Sequence, residues 1–252
     1  MTHRYWSSQS LEGVNVIRSH PHQRRTLTIE GAGQLREILG TFTSSESVSP
    51  LVIEITIDHA ELREVQEMSE GRPIADWAPW VEAIAAMANY PSLCIAAIPD
   101  QAACGGLEMA LAADMRVAHP AATLGLYETR MGILPGAGGT QRLPRLIGHG
   151  QATALILSGD PISGDRAERI GLVEQLDDDP VEWAIRFARR CSRNGPNVLV
   201  QAKKALSAAT PHDPSGFRTE GKAFLHLVGQ ETARRQMAMW LEDQELRLSS
   251  GG

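Results

Sequence analysis

Glu108 stands in the stretch AACGGLEMALAAD, residues 102–114, where two glycines open a run of Leu, Met and Ala that carries this single carboxylate before Asp114. An ionisable group in apolar surroundings is costly unless it has a partner or a reaction to serve. A second acid, Glu128, follows twenty positions later in LGLYETRMGILPGAGGTQRL, between a short apolar strand and a glycine-rich turn. Two carboxylates that face one cleft can divide the work, one holding a water as base while the other supplies a proton to carbon. For either acid, a salt bridge to Arg116 or Arg130 is the purely structural alternative. Gly105 and Gly106 add a candidate oxyanion site. N–H groups at a helix start lack intrahelical partners, the helix dipole adds partial positive charge there, and a residue without Cβ lets a substrate carbonyl approach the main chain. Taken locally, tight strand-to-helix packing is the commoner use of such a glycine pair.

The elements that must position these residues follow from hydrophobic patterning. VNVIRSH and PLVIEITI are β-branched runs that predict strands, and IEGAGQLREILGTF between them has apolar residues at helical spacing, which makes a β-α-β unit. In IADWAPWVEAIAAMANY, Ile74, Trp77, Val81, Ile84 and Met87 form one helical stripe, expected to be core, with Pro91 marking its end. SLCIAAI is a short buried strand, GGLEMALAAD a helix, and DMRVAH and TLGL two more strands. Beyond them the chain is mostly helical. Asp179 is placed to cap a helix that has Pro180 in its first turn and Glu182 three residues after the cap. Two or three further helices follow a boundary near Asn194-Gly195-Pro196, giving an α/β core over residues 1–195 and a helical region over 196–252.

Composition narrows the function class. With 252 residues, 42% hydrophobic and 21% charged, the chain is globular in kind, and a net charge of -6 with no basic run beyond Arg-Arg pairs argues against a nucleic-acid partner. No apolar run is long enough for a membrane span and the amino terminus has no leader pattern, so a cytoplasmic location is expected. Three scattered cysteines make no disulfide framework, and no CxxC or HExxH spacing suggests a metal. GAGGT at 136–140 lacks the GKS/T ending of a phosphate loop, and position 141 is Gln where a GxGxxG fingerprint needs glycine. Cys104 is expected to be a small buried hydrophobe rather than a nucleophile, because no His lies near it in sequence.

The run IAAIPDQAACGGLEMALAADMRVAHPAATLGLYETRMGILPGAGGTQRLPRLIG, followed in order by SGDPISGDRAERIGLVEQL and QAKKAL, resembles the signature of the crotonase superfamily and within it is most similar to enoyl-CoA hydratase. The resemblance runs from about Val14 to Glu242. It implies an α/β fold with a ββα spiral core and a C-terminal helical extension that serves trimerisation, assembled as a homotrimer or hexamer. It implies hydration or dehydration of a 2-enoyl or 3-hydroxyacyl thioester, as in fatty acid metabolism. Glu108 and Glu128 would be the catalytic carboxylates, and the backbone N–H groups of Ala60 and Gly105 the oxyanion hole. His59, Leu62, Tyr127 and Gly136 would contact substrate. Coenzyme A would enter only as part of the substrate, with an acyl-carrier-protein thioester as the other possible partner, and neither metal nor separate cofactor is implied. The sequence departs from the family at several points. The segment before HAEL is shortened, His59 stands at a glycine position, Cys104 replaces the first of three glycines, and WLEDQELRL lacks the paired basic residues found near the adenosine phosphate. An isomerase or decarboxylase of the same fold, or a non-catalytic partner subunit, are the alternatives these departures leave open.

Overall fold

The computed structural model describes residues 4–20, 28–44, 47–57, 61–70, 77–209 and 214–250. The chain enters through β1 (Trp6–Leu11) and β2 (Val14–Ser19), an antiparallel hairpin whose two-residue turn, Glu12-Gly13, has φ of 49° and 81°. Positive φ at both turn positions is the geometry that follows the right-handed twist of paired strands. β1 is absent from the sequence-based expectation because its Ser-Ser-Gln-Ser centre lacks an apolar alternation. It lies at the sheet edge.

The expected β-α-β unit is present. β2 and β3 (Leu51–Glu54) pair in parallel and are joined through α1 (Ile29–Thr43), which Thr28 caps by accepting the Gly31 N–H at 2.9 Å. The sheet continues through β4 (Cys94–Ile98), β6 (Met115–Ala118) and β9 (Gln175–Leu176) in the order β1-β2-β3-β4-β6-β9. A second sheet has the order β5-β7-β8, from β5 (Gln101–Ala103), β7 (Thr123–Gly125) and β8 (Ile162–Ser163).

Successive segments wind through both sheets in the same way. β4 lies in the large sheet, β5 in the small one, and α4 (Gly105–Ala112) follows. β6 and β7 repeat the pattern and lead into a 3-10 turn, Glu128–Met131, and then α5 (Gly139–Ile147). One turn earlier β3 runs on to Ile57, which bridges Ala102 of β5, and α2 (Glu61–Ser69) follows. This is a ββα spiral. Its consequence for function is that Ile57, Ala103 and Gly125, where successive repeats reach the small sheet, lie side by side.

Alternation within the strands divides the core. Leu51, Ile53, Cys94, Ala96 and Ile98 face the helices of the spiral, while Val52, Ile95 and Ala97 face α8 (Pro180–Ser192). A strand covered on both faces needs a continuous apolar run, which CIAAI supplies. Asp179 caps α8 as expected, accepting from the Glu182 N–H at 3.0 Å. In α3 (Ala78–Ala88) the inward face is Trp77, Trp80, Ala83, Ile84 and Met87, and Val81 is exposed. Trp80 takes the inward position that spacing from Ile74 had assigned to Val81. Ile74 itself lies outside the described residues.

Helices α6 (His149–Ser158) and α7 (Gly164–Arg169) complete the spiral, and α9 (Pro196–Ala208), α10 (Pro214–Val228) and α11 (Glu231–Ser250) follow Gly195. Helix α10 packs on α2 and α5, and α11 on α2 and the 3-10 turn, so the C-terminal helices lie over the ends of the spiral that carry Glu108 and Glu128. No helix among the described residues is long and apolar enough to cross a membrane.

Candidate active site

Glu108 lies in the first turn of α4 and is 2% exposed; Glu128 opens the 3-10 turn one spiral repeat later and is 4% exposed. Both line one cleft, together with Gly105, Gly136, Val65, Trp77, Trp80, Ile133 and Phe224. The salt-bridge alternative fails for Glu108. Arg116 is buried against the carbonyls of Ala110, Ala113 and Leu172 and pairs with Glu174, and Arg130 pairs with Asp160.

The two glycines have separate jobs. A Cβ on Gly106 would stand 2.9 Å from the Ile57 Cβ, so Gly106 allows α4 to pack against the end of the β3 segment. Gly105 is the first residue of α4 and faces the cleft. Cys104 before it is buried with φ 49° and ψ -121°, a conformation that glycine adopts without the steric cost a side chain adds. Buried Cys94 has its thiol pushed up to about 12, chiefly by burial, and so stays a neutral thiol near pH 7.

Glu108 Oε1 accepts the N–H groups of Ala137 and Gly139, at 2.8 and 2.7 Å. The glycine-rich stretch is therefore a seat for this carboxylate. Gly138 has φ +109°, and a Cβ on Gly139 would lie 3.0 Å from Glu108 Oε1. A third acid, Glu220 of α10, is also buried and accepts the Thr140 N–H at 2.8 Å and the Thr140 hydroxyl, with a further backbone hydrogen bond from Gly138. Arg142 donates to the Ala137 carbonyl at 2.7 Å, and its charge acts on both Glu108 and Glu220. Burial, reinforced by the Glu220 charge, pushes Glu108 up to about 8, against the lowering effect of the two N–H groups and Arg142. Burial raises Glu220 as well. A carboxyl group that changes charge near neutral pH inside a cleft is suited to proton transfer.

The sequence profile of the enoyl-CoA hydratase/isomerase family matches residues 59–249. The chain belongs to that family. YngF of Bacillus subtilis (strain 168), an enoyl-CoA hydratase/isomerase by name, is 33% identical over 235 residues, covering 90% of this chain and 90% of that protein. Human mitochondrial methylglutaconyl-CoA hydratase is 40% identical over 158 residues, 59% of this chain and 45% of that one. The crystal structure of enoyl-CoA hydratase from Bacillus anthracis superposes with a TM-score of 0.73 at 31% identity, covering 90% of this chain and 92% of that one.

Within this enoyl-CoA hydratase/isomerase fold the remaining expected residues divide. Gly136 lines the cleft, and a Cβ there would meet the Phe224 ring at 2.6 Å. Tyr127 is half-buried over Gly125, with its ring 6.5 Å from that of Trp240, and is not among the residues lining the cleft. Leu62 falls in α2. His59 and Ala60 lie outside the described residues. Ile57, three positions earlier, accepts the Ala103 N–H at 3.1 Å and abuts Gly106. Among the described residues no group of three or more His, Cys, Asp or Glu side chains could hold a metal.

Sequence reasoning missed Glu220, Arg142, Phe224 and the role of Trp77 and Trp80. Trp77 stacks on Trp80 at 5.4 Å between ring centroids and on Phe224 at 4.9 Å, forming one wall of the cleft. Two tryptophans three positions apart at a helix start were the available signal.

Proposed function

We propose that this protein adds water to a 2-enoyl thioester, or removes it from the 3-hydroxyacyl product. The reading is carried by one observation: Glu108, Glu128 and the helix-start residue Gly105 line the same cleft. The water oxygen bonds to the β-carbon as Glu108 and Glu128 orient it and accept its proton. The electron pair of the double bond moves toward the thioester carbonyl, where the N–H groups of Gly105 and Ala60 stabilise the enolate-like charge. A proton delivered by the same pair of acids then reaches the α-carbon. Glu108, raised by burial to about 8, can take and return a proton at little cost near neutral pH.

The overall reaction is redox-neutral, so its chemistry needs no nicotinamide, and both acids are supplied by the chain. Coenzyme A, or the same pantetheine arm on a carrier protein, is the carrier of the acyl group. His59, Leu62 and Gly136 are the proposed substrate contacts, with Tyr127 supporting Glu128 from the adjoining position. A homotrimer or hexamer in the cytoplasm, acting in fatty acid metabolism, is the setting that accompanies this reading. The family also contains isomerases, which need the same carbonyl clamp and only one acid.

Incubation of the purified protein with crotonyl-CoA and with longer, branched and oxygenated enoyl-CoAs tests the reading. Loss of the conjugated-thioester absorbance with formation of the 3-hydroxyacyl product is expected. Double-bond migration without uptake of water would favour isomerisation instead.

A further inference from the structure

Trp77 and Trp80 are 8% and 1% exposed, and the indole Nε1 of each is buried without a hydrogen-bond partner among the described residues. Buried indole N–H groups ordinarily find an acceptor, and leaving one unpaired costs more than a typical hydrogen bond adds. Two such donors three positions apart, on side chains that both line the catalytic cleft, ask for a shared explanation. Neither is needed to hold α3. The Trp77, Trp80 and Phe224 rings stack regardless of where the N–H groups point, and phenylalanine at either tryptophan position would fill much of the same space with no polar atom to bury.

If the thioester carbonyl lies at Gly105 and the reacting carbons lie between Glu108 and Glu128, the acyl chain beyond them meets the rest of the wall, formed by Val65, Trp77, Trp80, Ile133 and Phe224. We propose that the acyl group this site receives carries a neutral oxygen acceptor, a carbonyl, hydroxyl or ether oxygen, beyond its reacting double bond, and that Trp77 and Trp80 donate to it. The inference rests on the hydratase reading for the direction in which the acyl chain runs. Charge selects a neutral oxygen over a carboxylate. Glu108 and Glu128 already face the cleft and Glu220 stands behind Glu108, while the neighbouring cation, Arg142, is engaged by the Ala137 carbonyl and both buried acids. A carboxylate tail would be desolvated beside buried acids in a site of low polarity, with Arg142 already engaged. A site built to hydrogen-bond a substrate oxygen discriminates against the hydrocarbon analogue, because its own donors are then left unpaired.

Isothermal calorimetry with saturated, non-reacting thioesters separates this inference from the catalytic one. The probes are hexanoyl-CoA, its counterpart with a keto group near the chain end, and glutaryl-CoA. We expect the keto compound to bind at least about tenfold tighter than hexanoyl-CoA and tighter than glutaryl-CoA. Trp77→Phe and Trp80→Phe should each shrink the keto-to-hexanoyl ratio. Equal affinity for the keto and plain chains, tighter binding of glutaryl-CoA, no binding of any of the three, or a ratio unchanged in both variants overturns the proposal. The matching unsaturated pair, assayed for hydration, reports on the other claim. A preference in binding with no hydration of either compound removes the hydratase reading and leaves the acceptor site. Hydration of the plain chain at the same kcat/KM, without a preference in binding, removes the acceptor site alone.

Discussion

Glu108 and Glu220 hold one turn between them: Glu108 accepts the N–H groups of Ala137 and Gly139, and Glu220 that of Thr140 together with a backbone hydrogen bond from Gly138. Consecutive backbone donors thus alternate between a carboxylate from the spiral core and one from a C-terminal helix. Two buried acids are tolerated because helix-start donors and Arg142 stand against them, while burial, with the repulsion that remains, keeps the Glu108 proton available.

Glu220→Ala should lower stability by about 1–3 kcal/mol, since it leaves the start of α5 without the acceptor that holds Thr140. Glu220→Gln retains an acceptor oxygen and should cost less. It also removes a charge that raises Glu108, so the pH at which Glu108 ionises should move down. Urea midpoints for the two variants check the first claim, and a pH titration of activity in Glu220→Gln checks the second. An Ala variant as stable as the parent would contradict the role given to Glu220.

The raised Glu108 pKa fixes the sign of a pH effect on stability. The folded chain keeps this proton up to about pH 8, whereas the unfolded chain releases it near the ordinary value of 4.5. Between those limits the folded state binds more protons, so stability is greatest at the acid end of the window and falls as pH rises through it. Glu220, raised in the same direction, adds to the slope. Glu108→Gln should flatten the curve and gain at least about 1 kcal/mol on the parent between about pH 5 and pH 8, given that one pKa unit corresponds to about 1.4 kcal/mol. Denaturant unfolding across that range is the measurement, and a parent whose stability rises over it would count against the assignment.

The acids of the cleft were legible in sequence because each breaks a local pattern: Glu108 is a carboxylate in an apolar helix start and Glu128 an acid three positions beyond a short apolar strand. The spiral was legible in part, through the β-branched runs of β2, β3 and β4. Glu220 was not legible. It stands among Arg218, Thr219 and Lys222 on a helix of mixed polarity, where an acid looks solvated until α10 is seen packed on α5. A stripe counted from Ile74 passes over Trp80, although the bulkier residue one position earlier than Val81 has more apolar surface to bury. The GAGGT glycines have no nucleotide-loop pattern, but their use as a carboxylate seat depends on an approach between residues 31 positions apart, Glu108 and Gly139.

Gly139→Ala tests that seat. The added Cβ would lie 2.8 Å from the Pro135 Cβ and 3.0 Å from Glu108 Oε1, so either the turn or the acid must move. Turnover should fall at least about tenfold with KM little changed, as expected when a catalytic group is misplaced while the substrate-binding surface is kept. Gly33→Ala, in a part of α1 where the new Cβ meets nothing within 4 Å, is the control and should raise stability by about 0.5–1 kcal/mol. Wild-type turnover by Gly139→Ala would dissociate the glycine-rich turn from catalysis.

Steady-state hydration kinetics of Glu108→Gln and Glu128→Gln, on the best enoyl thioester found for the parent, bear most directly on the two-carboxylate mechanism. Glutamine keeps the size and one hydrogen-bonding oxygen of each side chain and cannot take up or release a proton. Each variant should lose at least about a hundredfold in kcat, with KM within a few-fold of the parent, because the lost interaction belongs to the transition state. Hydration at the parent rate by Glu128→Gln would contradict the shared acid-base role and leave a one-acid reaction such as double-bond isomerisation in its place.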